Sequence, residues 1–182
     1  MRKKFNISVE IPEEVNCEFD IESNLLKCNK GNTTLERKIS ILRTEIKVSD
    51  RKIVFNCEKA NKKNIAMIKT NVSHVKNMFK GFDEKFKYIL EICNVHFPMN
   101  AKVEGNNLVI SNFLGEKINR NAKILNGVEV EVKGKNVIIS GSDLEKTGQT
   151  AANIEKATKV PKKDRRIFQD GIFIVEKPGV KI

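Results

Sequence analysis

The order of hydrophobic periodicities in this 182-residue chain occurs twice, and that repeat limits the fold more than any other feature. Phe5, Ile7, Val9 and Ile11 alternate with polar residues, the two-residue period of a half-buried strand, and Pro12 ends the run. Phe19 and Ile21 lead through Ser23-Asn24, a turn signal, to Leu25-Leu26. Ile39 and Ile41, then Ile46 and Val48, alternate again, and Ser49-Asp50 turns the chain into Ile53-Val54-Phe55. The period then changes. Ile65, Ile68, Val72, Val75, Phe79 and Phe82 recur at steps of three and four, which is one face of a helix. Asn61 is suited to cap its start, and Gly81 lies where it could stop.

The same succession then returns. Tyr88–Ile92 reads as a strand, and Lys102–Ile110 as a hairpin. Val128, Val130 and Val132 alternate, and Lys133–Asn136 turns into Val137-Ile138-Ile139. Ser142-Asp143-Leu144-Glu145 is a capping box that predicts a helix from Ser142 to about Lys159, before Pro161. Ile53-Val54-Phe55 matches Val137-Ile138-Ile139 at an offset of 84 residues, and Ile21–Asn24 matches Val103–Asn106 at 82. A strand-rich segment followed by one amphipathic helix buries its apolar faces as a sheet with a packed helix. The expected class is α+β: two tandem duplicated domains, each an antiparallel sheet with one packed helix. The boundary falls near Gly81 to Asp83, dividing the chain into 1–82 and 83–182. The second copy carries a C-terminal extension from Lys162, with a strand at Ile172–Val175.

Charge narrows the function. Lys and Arg number 34 against 23 acids, a formal net charge of +11, and such a surface attracts polyanions, nucleic acid first. A membrane is not the expected partner: no apolar run approaches the roughly 20 residues of a span, and no lipidation motif is present. Met1-Arg2-Lys3-Lys4 leads into an alternating strand rather than a continuous apolar stretch, so export is not expected. Cys17, Cys28, Cys57 and Cys93 stand singly in strand-like runs. They read as buried reduced thiols of a cytosolic protein, and their spacing predicts no zinc or other metal site.

Three basic groups are candidate RNA contacts. The densest is Lys156, Lys159, Lys162, Lys163, Arg165 and Arg166, opposed only by Asp164 and followed by Phe168 and Gln169. Because it joins a helix end to an apolar strand, it is expected to be held in shape. Its cations suit phosphates, and Gln169 suits sugar or base. The first helix carries no acid between Asn61 and Lys80. Lys62, Lys69, Lys76 and Lys80 form a stripe beside its apolar face, with His74 nearly opposite that face. An RNA-facing helix and a plain solvated face both fit this pattern. Lys117, Arg120 and Lys123 form the third group, for which a solvated hairpin edge serves almost as well. Gln149 and Asn153, four apart on the second helix, share a face and suit either RNA or water. Gly148, Ala151 and Ala152 would let that helix approach its sheet closely.

Catalytic patterns do not emerge. His74 and His96 are the only histidines, and no nucleophile elbow or phosphate loop is present, so no enzyme and no cofactor are expected.

Gly148–Glu155 and Lys163–Ile172, together with His74–Met78, His96–Met99 and Asn112–Lys117, resemble the sixth large-subunit ribosomal protein family in its archaeal or eukaryotic form. The likeness covers nearly the whole chain in the right order. Lys156 stands where the family pattern has Gln, and Phe173 where Tyr is commoner. The resemblance implies two sheet-plus-helix domains. It implies a monomer in the cytoplasmic ribosome, bound to large-subunit ribosomal RNA near the base of the sarcin–ricin loop, chiefly through the C-terminal domain. It also implies neighbouring ribosomal proteins and translational GTPases docking close by. A stand-alone RNA-binding regulator or assembly factor is the alternative, and a nucleic-acid enzyme ranks last.

Overall fold

The computed structural model describes residues 3–164 and 166–181, and the chain divides into two compact units, Met1–Asp83 and Glu84–Ile182. In the first unit, strands β1 (Lys3–Glu10), β2 (Asn16–Asp20), β3 (Leu25–Lys30), β4 (Thr33–Lys38), β5 (Glu45–Ser49) and β6 (Lys52–Ala60) precede helix α1 (Lys62–Asp83). They form two three-stranded sheets, ordered β1-β6-β5 and β2-β3-β4, with every pair antiparallel. The second unit repeats this plan with β7 (Phe86–Cys93), β8 (Asn100–Glu104), β9 (Asn107–Ser111), β10 (Arg120–Lys123), β11 (Val128–Lys133), β12 (Asn136–Gly141) and helix α2 (Leu144–Ala157). Its sheets run β10-β9-β8 and β11-β12-β7, the latter extended past β7 by β13 (Gly171–Lys177) and β14 (Val180–Lys181). The tandem duplicated α+β fold is therefore present, and each copy holds a second small sheet beyond the one expected.

Alternation decides which faces meet. Ile53, Phe55 and Cys57 of β6 are fully buried, as are Ile68 and Val75 of α1 in the same core. In the second unit Leu90, Val137, Ile139, Ala151, Ile154 and Ile172 share a core, each fully buried. Gly148 is why α2 lies so close: a Cβ there would stand 2.9 Å from the Tyr88 hydroxyl. The close approach expected of the small residues is thus real at Gly148 and Ala151.

Several local expectations are corrected. Ile39 and Ile41 are buried but lie in an irregular connection, with the Ile39 N–H donating to the Asn24 carbonyl. The strand is instead β4, where Leu35 alone is buried. Helix α1 runs past Gly81 to Asp83, whose carboxylate takes a 2.8 Å bond from Lys30 Nζ. Asn61 does cap it, accepting the Asn64 N–H at 2.7 Å. Helix α2 is capped by Asp143 rather than Ser142: the Asp143 carboxylate accepts the N–H groups of Glu145 and Lys146, so the helix starts at Leu144, two residues late, and ends at Ala157. Cys17 and Cys28 are not separate thiols. They stand opposite each other in the β2–β3 register with Cα atoms 4.2 Å apart, joined as a disulfide, because a directly opposed, closely spaced antiparallel pair brings two Sγ atoms together. Cys57 and Cys93 are free.

Candidate nucleic-acid interface

The densest basic group runs from the end of α2 into the loop before β13. Lys156, Lys159, Lys162 and Lys163 are exposed, and the first three form no ion pair among the described residues. Arg165 lies outside the described residues. Arg166 is 89% exposed at its side chain, yet its guanidinium lies 2.7 Å from Asp164. That contact and the Arg166 N–H hold the Asp164 carboxyl below the usual carboxylate range.

Asp164 does more than oppose charge. Its side chain accepts the Arg166 N–H and its carbonyl accepts the N–H groups of Ile167 and Phe168, folding the loop back on itself. Gln169 Nε2 closes the turn on the Arg166 carbonyl at 3.1 Å. The far end is clamped by Asp170, which is 3% exposed. One carboxylate oxygen accepts the N–H groups of Val95 and His96 at 2.8 and 3.0 Å, and the other lies 2.5 Å from His96 Nδ1. Burial pushes the Asp170 carboxyl up, but these hydrogen bonds outweigh it and hold the group below the usual range. Thr158, at the α2 terminus, accepts the Ile172 N–H, and Glu155 accepts that of Ile174. The loop is thus fixed to α2, to β13 and to the segment after β7, and its lysines, Lys159, Lys162 and Lys163, are exposed. Beside it the imidazole of His96 stacks on Phe168, centroids 5.1 Å apart and planes 20° apart, and Lys163 Nζ lies 5.0 Å from the Phe168 ring centre. A groove of about 1120 Å³ adjoins this loop, lined among others by Lys135, Gln149, Lys156, Lys159, Gln169 and Phe173.

The other candidates divide. Arg120 is occupied inside the fold. It pairs with Glu116 at 2.6 and 2.8 Å, donates to the carbonyls of Ala157 and Lys159 at the end of α2, and lies 4.2 Å from the Phe113 ring centre. Its hydrogen bond holds the Glu116 carboxyl below its usual range. A cation is thus placed at the C-terminal end of α2, where it meets the negative end of the helix dipole. Lys117 and Lys123 are exposed nearby. Gln149 Nε2 donates to Asn153 Oδ1, and Asn153 Nδ2 donates to the Lys123 carbonyl, so this pair ties α2 to β10 and leaves only part of its polarity outward. On α1, Lys69 and Lys76 are exposed, whereas His74 is half-buried rather than fully on the outer face.

Burial, with Glu91 adding, pushes the Cys93 thiol up, the opposite of an activated nucleophile. His96 is held by Asp170 and stacked on Phe168. Among the described residues no helix is long and apolar enough to cross a membrane.

A family model described as Ribosomal protein L6 matches residues 97–171. The chain is 47% identical over 171 residues to the large ribosomal subunit protein uL6 of Methanococcus vannielii, covering 94% of this chain and 93% of the relative. It is 44% identical over 177 residues to that of Methanosarcina mazei, covering 97% and 99%. To the uL6 of Sulfurisphaera tokodaii it is 42% identical over 170 residues, covering 93% and 90%.

The chain belongs to the uL6 family.

The part matched by the family model spans β8 to the start of β13 and encloses α2, the Asp164 turn and Asp170. Similarity to the uL6 relatives extends over nearly all of both units. Within this uL6-family chain, Lys156 is exposed on α2 beside Lys159, where it adds charge to the groove. Phe173, 42% exposed, lies over Gly171, where an added Cβ would meet the ring at 2.8 Å.

Proposed function

We propose that the chain is a structural constituent of the large ribosomal subunit that binds large-subunit ribosomal RNA, chiefly through its second unit, and catalyses nothing. The observation that carries this reading is the loop from Lys159 to Asp170, where exposed lysines project from a backbone fixed by Asp164, Asp170 and Thr158. A preorganised cluster of cations releases the counterions condensed on RNA without first having to be ordered. Membership of a family whose relatives carry the name large ribosomal subunit protein supports it. The ribosome of the cytoplasm is the corresponding location.

The finer placement rests on the resemblance. The RNA contact lies near the base of the sarcin–ricin loop, neighbouring ribosomal proteins adjoin it, and translational GTPases dock close by. Lys156, Lys159, Lys162, Lys163, Arg165 and Arg166 carry the phosphate contacts in this proposal, with Lys117 and Lys123 adding to them. Lys69, His74 and Lys76 of α1 contribute less. Sucrose-gradient sedimentation of cell extract tests the reading. Comigration with the large subunit through high-salt washing is the expected result. Recovery only in the soluble fraction would point instead to a stand-alone regulator.

A further inference from the structure

The basic loop does not present charge alone. Val95 is 64% exposed, Phe97 49% and Ile167 61%, and these apolar residues are the immediate chain neighbours of His96 and Phe168, whose rings stack. Apolar surface kept exposed among cations fits neither of the simpler partners. A duplex shows its phosphates outward and its base faces only to each other, so it would use the lysines and leave the rings idle. A protein partner would use the apolar groups and leave Lys162, Lys163 and Arg166 to be desolvated. A single-stranded segment uses both, since an unpaired base offers an aromatic face beside its own phosphate.

The ring pair is also built in advance. Asp170 fixes His96 through its ring and its backbone N–H, and Asp164 fixes Phe168 through the N–H of that residue. A base landing on such a pair has no side chain to order first. Lys163, whose ammonium is 5.0 Å from the Phe168 ring centre, is placed to move onto the adjoining phosphate.

We propose that an unpaired nucleobase of the bound RNA stacks on the His96–Phe168 ring pair, so that this end of the second unit recognises a single-stranded feature as well as phosphates. The proposal rests on the RNA-binding reading above and adds to it the kind of RNA element held.

The chain contains no Trp and one Tyr, so Phe168→Trp places a single strong fluorophore in the stack. The probe is large-subunit ribosomal RNA, with binding followed separately by filter retention. Phe168→Trp should bind at least as tightly as wild type, and its emission should be quenched on binding. Phe168→Leu should weaken binding about tenfold with an unchanged salt slope, because stacking loses affinity without releasing counterions. Thermal melting shows whether the Leu variant remains folded; if it does not, the Trp variant still decides the matter. A bound Phe168→Trp protein with unquenched emission, or a folded Phe168→Leu protein that binds like wild type, overturns the stacking proposal alone. Failure of wild type to bind the RNA overturns the RNA-binding reading and this proposal with it.

Discussion

Asp170 and His96 lie 74 residues apart in the chain, yet the Asp170 carboxylate accepts the His96 N–H at 3.0 Å and meets its Nδ1 at 2.5 Å. Asp170 is buried, and the Val95 N–H adds a third contact. Removing the carboxylate strands two backbone donors and an imidazole. Asp170→Ala is therefore expected to lose about 2–4 kcal/mol of stability, since hydrogen bonds to a charged group contribute roughly 1.5–3 kcal/mol each and the freed donors, on exposed residues, regain water in part. Urea unfolding measures it. A loss below about 0.5 kcal/mol would mean the clamp is incidental.

The same contact sets an acid dependence. The hydrogen bonds from His96 and Val95 hold the folded Asp170 carboxyl below the usual carboxylate range, so its contribution to stability is fully present above the unfolded-state value. It is lost as the pH falls through the lower folded-state value. Wild type should exceed Asp170→Asn in stability at pH 7, and the gap should narrow below about pH 4. Parallel melts from pH 7 to pH 3 check this, and a gap that widened in acid would reverse the assignment.

Arg120 is expected to act on stability and not on RNA. It joins Glu116 and Phe113 to the carbonyls of Ala157, the last residue of α2, and of Lys159 just beyond it. Arg120→Met should cost about 1–3 kcal/mol while leaving the salt dependence of RNA binding nearly unchanged. Lys cannot reproduce the fork, so Arg120→Lys should recover only part of the loss. A folded Arg120→Met protein with a clearly flatter salt slope would place this guanidinium on RNA after all.

The pairing of Cys17 with Cys28 makes a direct count. Protein denatured without reductant should show two reactive thiols, from Cys57 and Cys93, and four after reduction. Four thiols before reduction would return both cysteines to the free state that their sequence context suggested.

What the sequence reveals here follows from the range of the forces involved. The six apolar positions from Ile65 to Phe82 are a local pattern, and the helix that they require formed with that face inward. The repeat of β5–β6 in β11–β12 was legible for the same reason. β4 was not, because Thr33–Lys38 carries one buried apolar residue and takes its shape from pairing with β3. Ile39 and Ile41 gave a strand pattern, yet burial was satisfied without a ladder. The basic segment was visible as charge, but Asp164 looked like a blemish in it. Only backbone geometry shows Asp164 folding the loop, and only long-range contact brings Asp170 to His96. Arg120 and the Gln149–Asn153 pair read as outward polarity for the same reason, since their partners are distant in the chain.

The central claim is that the second unit's basic loop dominates RNA affinity, and the salt dependence of binding tests it most directly. Each cation that reaches a phosphate adds about 0.7 to 0.9 to the log–log slope of affinity against salt. Replacing Lys163, Arg165 and Arg166 together with Ala, in protein shown by melting to remain folded, should weaken binding to a ribosomal RNA fragment and flatten that slope by about two units. Replacing Lys69 and Lys76 of α1 should change it much less. A folded triple variant that binds like wild type, beside an α1 variant that loses affinity, would contradict the account and move the RNA face to the first unit.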